Sequence, residues 1–149
     1  DESLNITDAI TIAAWVKVSP AQGSDRGWIV TKNDAFGADS GYKFAVRSNN
    51  IQWTINAESN NRLSFSTPHD LSEWSHIVVT FRPSRLAEVY LNGVLENSKY
   101  FTDSIINLNN NPVKIGGGLY YKLNGVIDSV RIYNRALSEE EIKWLYEHT

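Results

Sequence analysis

Asp128 stands where a strand should place an apolar side chain. Within Gly125–Tyr133 the alternation set by Val130 and Ile132 puts Asp128 on the same phase. A carboxylate there needs a partner. Either the strand bulges at Asp128–Ser129 and turns the acid outward, with Ile127 beside the break, or backbone donors or a cation hold it. The remaining acids make no pair. Glu88 stands alone on its strand, Glu58 lies at a strand end, and Glu139, Glu140 and Glu141 fall in a first helical turn, where they complement the helix dipole. Glycosidic bond hydrolysis needs two carboxylates on one face, and no strand here supplies them. His69, His76 and His148 lack metal-ligand spacing, no serine sits in a nucleophile elbow, and the absence of cysteine removes thiol chemistry. No catalytic residue is assigned, and the chain is read as not an enzyme.

Sugar binding asks for other residue types: aromatic rings that stack on a pyranose face, beside amides and guanidinium groups that bond hydroxyls. Two places offer that mix. Tyr120 and Tyr121 follow the glycine run Gly116–Gly118, and the polar phase of a hairpin carries Arg47, Gln52, Thr54 and Asn56, extended by Tyr90. Plainer roles compete with both, because a rim tyrosine often only covers a core and any solvated antiparallel sheet shows a polar face. Trp53 lies in apolar phase and reads as core. Trp15 and Trp74 fit either a groove or a place under a loop or helix, while the neighbours of Trp28 alternate too briefly to place it.

The elements that must position these residues are short strands. Ile10–Val18 puts Ile10, Ile12, Ala14, Val16 and Val18 on one face and ends before Pro20. Similar runs span 27–32, 42–48, 51–57, 62–66, 75–82, 87–92, 112–115 and 125–133, separated by Gly, Asn, Asp, Ser and Pro clusters. Asn49–Asn50 and Asn92–Gly93 read as tight hairpin turns, since asparagine tolerates positive φ. Ser59–Asn60–Asn61 reads as a turn without chemistry. Helical spacing appears only near the end, where Ser138 and Glu141 have capping-box spacing and Leu137 and Ile142 occupy staple positions. The expectation is an all-β fold, a two-sheet antiparallel sandwich with one short C-terminal helix.

Composition bounds the function. At 149 residues the chain is expected to be a single domain, 1–149, excised from a larger protein, and large enough to bury a core without staples. A formal net charge of −3 offers no basic stripe, which argues against nucleic acid as a partner. No apolar run approaches a membrane span, so no membrane insertion is expected, and the first residues do not read as a signal peptide. Asn5–Ile6–Thr7 matches a glycosylation acceptor, a pattern frequent by chance.

Four segments in order, Ile10–Lys17, Trp74–Phe81, Val89–Leu95 and Asn124–Ser138, together resemble the laminin G-like jelly roll of the concanavalin A-like lectin and glucanase superfamily. The resemblance covers nearly the whole chain and implies two curved antiparallel sheets, used as a module of secreted or cell-surface proteins. It does not imply one activity. It also implies a structural Ca2+ beside the last strand, with Asp128 and the Thr7–Asp8–Ala9 turn, hence Asp8, as its ligands; calcium accepts such carboxylate and carbonyl oxygens. Members usually carry a strand before the segment resembling Glu2–Ile6, and its lack here would leave an edge open for pairing. The resulting expectation is an extracellular, non-catalytic carbohydrate-binding or adhesion module whose partner is a glycan or polysaccharide. Its rival is a structural or protein-interaction spacer that contacts another surface-protein domain.

Overall fold

A computed structural model describes residues 2–23, 25–33, 39–56, 60–117 and 121–149. Among these residues, ten strands form two five-stranded antiparallel sheets. Sheet A has the order β10-β1-β6-β7-β8, with β1 Ile10–Val18, β6 Ser75–Phe81, β7 Leu86–Leu91, β8 Val94–Tyr100 and β10 Gly125–Tyr133. Sheet B has the order β5-β4-β3-β2-β9, with β2 Arg26–Thr31, β3 Tyr42–Arg47, β4 Asn50–Ile55, β5 Arg62–Ser66 and β9 Lys114–Ile115. The expected jelly-roll sandwich is the observed fold, closed by one helix, α1, Glu139–His148.

Period-2 alternation makes the core. Ile10, Ile12, Ala14 and Val16 from β1 and Ile77, Val79 and Phe81 from β6 meet Phe44, Val46, Ile51, Trp53 and Ile55 of sheet B in one buried cluster. Trp53 is fully buried, and its indole N–H donates to Thr80 O at 3.0 Å, so the ring crosses from one sheet to the other. Burying a ring of that size contributes several kcal/mol, on the order of 3–5 by what its removal costs in other cores.

A second, smaller cluster lies on the outer face of sheet A. There Leu137, Ile142 and Leu145 bury Ala13, Val78 and Tyr90. The helix starts where the sequence says, because Ser138 accepts from Glu141 N–H at 3.2 Å while Glu141 accepts from Ser138 N–H at 3.1 Å. Trp15 is thereby placed: its ring lies 5.1 Å from His76 and 5.8 Å from Tyr146, under the helix. Trp74 remains 43% exposed.

Three expectations shift. The β3–β4 register pairs Arg47 with Asn50, so the turn residues are Ser48 and Asn49, one position earlier than expected, with Ser48 at φ 54°. Matching Val46 to Ile51 and Phe44 to Trp53 decides this, since a slip would turn the apolar sets outward. β8 continues to Tyr100 although only Val94–Leu95 looks like strand, because an exposed edge needs no alternation. The strand expected at 112–115 shrinks to Lys114–Ile115. Before it runs a connection without regular structure, anchored in the core by Phe101 and Ile106 and tied down by carboxamides. Asn61 Oδ1 accepts from Thr102 N–H, Thr102 Oγ1 and Asp103 N–H at 3.1–3.2 Å, a structural use of a residue read as a plain turn. Ser59 of that turn, Glu58 and Tyr120 lie outside the described residues.

Candidate functional site

The helix closes the outer face of sheet A. Sheet A is covered along its middle, so its outward residues are closed in: Val78, Thr80, Glu88 and Tyr90 are 0–6% exposed. Sheet B turns Lys43, Ala45 and Arg47 of β3 outward, with Gln52 and Thr54 of β4 and Ser64 of β5 beside them, opposite in phase to the core residues of the same strands; of these, Lys43, Ala45 and Thr54 are 4–5% exposed, and Arg47, Ser64 and the half-buried Gln52 are the accessible ones. None of its five strands contains Asp or Glu, while Arg26, Lys43, Arg47, Arg62 and Lys114 all lie on them. The carboxylate pair of a glycosidase therefore has no source in these strands. The basic residues, scattered in sequence, are collected on one sheet by strand pairing.

Trp28 joins this face through a bulge. The β2–β3 register shifts between Trp28 and Val30, so Ile29 and Val30 both enter the core and Trp28, paired with Ala45, points out. That irregularity is why the alternation around Trp28 is too short to read. The return toward β10 then packs along β2. Trp28 N–H donates to Tyr121 O at 2.9 Å, Gly116 N–H to Ile29 O at 2.9 Å, and Leu123 N–H to Gly116 O at 2.9 Å. Gly117, at φ 97°, permits the tight return, since a Cβ there would stand 2.7 Å from Lys122 Cα and 2.8 Å from Tyr121 O.

These contacts deliver the Tyr121 ring onto Trp28, with centroids 5.1 Å apart and planes at 45°. Lys43 Nζ lies 5.8 Å from the centre of the Trp28 ring, within reach of its electron-rich face. Trp28 is 3% exposed and Tyr121 37%, so the indole is a floor and the phenol ring is the surface. Gln52 is half-buried and makes no side-chain hydrogen bond among the described residues, and Arg47 is exposed. Of the expected residues, Tyr121, Gln52 and Arg47 are thus brought to one sheet face; Trp28 and Lys43 belong to it too, although neither was expected as a ligand contact.

Two expected members are elsewhere. Tyr90 lies on β7 of sheet A, 1% exposed, with its hydroxyl donating to Glu88 Oε2 at 3.2 Å. Burial, then the Glu88 charge, pushes its pKa up to about 12. It cannot share a surface with Gln52, because equal strand phase on two different sheets points to two opposite sides of the sandwich. Asn56 follows β4 at φ 50° and is 2% exposed. Its carboxamide donates to Asp103 Oδ2 and Ile105 O, both at 2.8 Å, and accepts from Asn107 N–H at 2.7 Å, so both donors are spent and the buried group is out of a ligand's reach.

The acids are equally occupied or isolated. Glu88 accepts from Thr80 Oγ1 at 2.9 Å, from Arg82 Nε at 2.5 Å and from Tyr90, while Arg82 also donates to Leu137 O at 2.9 Å. This is a lock between sheet A and the approach to the helix. Asp128 is exposed and paired opposite Trp15, where β10 bulges at Ser129, φ 53°. The apolar phase runs Ile132, Val130 and then Ile127, so the acid is turned outward and accepts from Ser129 N–H at 2.8 Å. Asp8 is exposed, with its Oδ1 3.2 Å from Thr7 Oγ1. It precedes β1, and the run from Ile10 to Trp15 alone spans about 16 Å at the usual strand rise. Asp8 and Asp128 therefore do not fit one calcium ion. Among the described residues no three His, Cys, Asp or Glu side chains gather into a group that suits a metal.

Comparison with known proteins agrees with this architecture. A laminin G-type family model, described as the concanavalin A-like lectin/glucanases superfamily, matches residues 1–143. Among solved structures, the binding domain of botulinum neurotoxin serotype G is similar at 21% identity and a TM-score of 0.76, over 99% of this chain and 38% of that one. The receptor binding domain of botulinum neurotoxin D gives 22% and 0.69, over 94% and 37%. The binding domain of botulinum neurotoxin DC in complex with SialylT gives 15% and 0.68, over 94% and 35%. The chain thus spans little more than a third of each neighbour, and likeness at these identities is likeness of fold. No curated protein sequence matches. No helix among the described residues is long and apolar enough to cross a membrane. With its sandwich, its capped terminal helix and a family match along almost its whole length, the chain belongs to the concanavalin A-like lectin/glucanases superfamily, in its laminin G-type branch.

Proposed function

We propose that this chain is a non-catalytic glycan-binding module of an extracellular or cell-surface protein, and that it reads sugar on the outer face of sheet B. The observation that carries the reading is the Tyr121 ring, partly exposed and backed by the buried Trp28. A rigid aromatic surface is what the C–H face of a pyranose stacks on, and the Gln52 carboxamide and Arg47 guanidinium on the same face supply donors for hydroxyls. Similar structures lend support in their own names, one a complex with SialylT and another a toxin whose cell entry depends on two ganglioside molecules.

A glycan array followed by calorimetric titration tests this. Tyr121→Ala is expected to weaken binding by about tenfold, the equivalent of one aromatic contact of about 1.4 kcal/mol. The melting temperature should move little, since Tyr121 is a surface side chain. Uniformly absent binding on the array would overturn the reading.

The rival reading, a spacer that docks another protein domain, is favoured by β8. This edge strand leaves Val94 58% and Tyr100 65% exposed, and unpaired edges invite strand addition. A sugar-independent partner blocked by Val94→Lys would choose it.

A further inference from the structure

Lys32 is a buried cation with no counter-charge among the described residues. It follows β2 and is 5% exposed, yet its ammonium bonds only neutral acceptors, Asn109 O at 2.8 Å and Asn109 Oδ1 at 2.9 Å. Among the described residues it makes no ion pair. An ammonium carries three protons, so one donor is left unsatisfied, and burial lowers the pKa of the group because the charged form loses water. Lone buried charges are costly, and folds keep them where something else neutralises them.

The surroundings are a cleft of about 300 Å3 where the connection before β9 passes the N-terminal segment. Asn5, Asn110 and Asn111 line it with carboxamides that make no side-chain hydrogen bonds among the described residues, and Leu4, Pro112 and Val113 give it apolar walls. Asn109 fixes the geometry: its Nδ2 donates back to Lys32 O at 2.7 Å and to Ser40 Oγ at 3.2 Å, and its Oδ1 also accepts from Asn111 N–H at 3.0 Å. Its side chain is thereby saturated, so the remaining ammonium proton and the free carboxamides are the unspent donors. One fixed cation ringed by amide donors with no acid among them matches a carboxylate attached to a hydroxyl-bearing body.

We propose that this cleft binds the carboxylate of an acidic sugar, through Lys32 Nζ for the charge and Asn5, Asn110 and Asn111 for the flanking oxygens. The site shares no lining residue with the Tyr121 face and does not depend on it.

Titration of the whole chain with glucuronate, glucose, acetate and inorganic phosphate tests the assignment. Glucuronate should bind at least about tenfold more tightly than glucose, and Lys32→Met should remove that preference, as loss of a buried charge-assisted bond does. Acetate binding as tightly as glucuronate would keep the carboxylate site but make its ligand a free small acid. Equal binding of glucose and glucuronate, or tighter binding of phosphate than of either, would overturn it. Should Lys32→Met not fold, Asn110→Ala with Asn111→Ala removes two donors from the cleft rim and must weaken glucuronate selectively; unchanged affinity overturns the proposal. Tyr121→Ala must leave glucuronate preference intact, so failure here and failure of the sheet B reading are read separately.

Discussion

Asn56 donates from its carboxamide to the Asp103 carboxylate at 2.8 Å, joining the end of β4 to a connection far along the chain. With the bonds to Ile105 O and from Asn107 N–H, one side chain replaces the backbone pairing that an irregular segment lacks. Asn56→Ala should therefore lower stability by about 3 kcal/mol, because it removes three hydrogen bonds made by a buried side chain and puts alanine at positive φ. Denaturant unfolding measures this. Glycan affinity of the folded fraction should not change, which separates a structural clamp from a ligand contact.

Asp128 is turned outward by its bulge and pairs opposite Trp15, past the middle of β1, whereas Asp8 precedes that strand. Chelation should leave the melting temperature unchanged, and Asp128→Asn should stay within about 0.5 kcal/mol of the parent, as surface substitutions do. A melting temperature that rises with added calcium, and ceases to rise in Asp128→Asn, would contradict this.

His76 makes stability depend on pH. Burial under the helix, then the charge of Arg131, holds its pKa at about 4 against an ordinary 6.5. Its Nδ1 has no hydrogen-bond partner, and Trp15 and Tyr146 pack against the ring. The unfolded chain takes up the proton first, so stability is full above pH 6.5 and is lost as pH falls toward 4, by about 3 kcal/mol at most. Glu141, held down to about 2 by Arg135 and then by the Ser138 backbone, keeps its contribution until pH drops below its ordinary 4.5. The interval from 4.5 to 6.5 thus isolates His76. His76→Phe should flatten the stability profile there, as followed by urea unfolding across that range.

The sequence by itself determined the elements. Alternation in β1, β3, β4 and β6, the Asn92–Gly93 turn and the Ser138–Glu141 box are set by neighbours within a few residues, and the structure keeps them. The bulge at Ser129 was also open to reading, because an acid in apolar phase has few alternatives. Which outward residues stay accessible was decided only in three dimensions. Tyr90 and Gln52 have equivalent phases in their own strands, and nothing local says that the helix buries one and leaves the other. Nor does local pattern put Tyr121 on Trp28, or Lys32 beside Asn109, because those contacts close long loops whose ends meet through packing of the whole core. Local pattern set what each strand shows on its two sides; tertiary packing chose which side meets water, and with it where a ligand can reach.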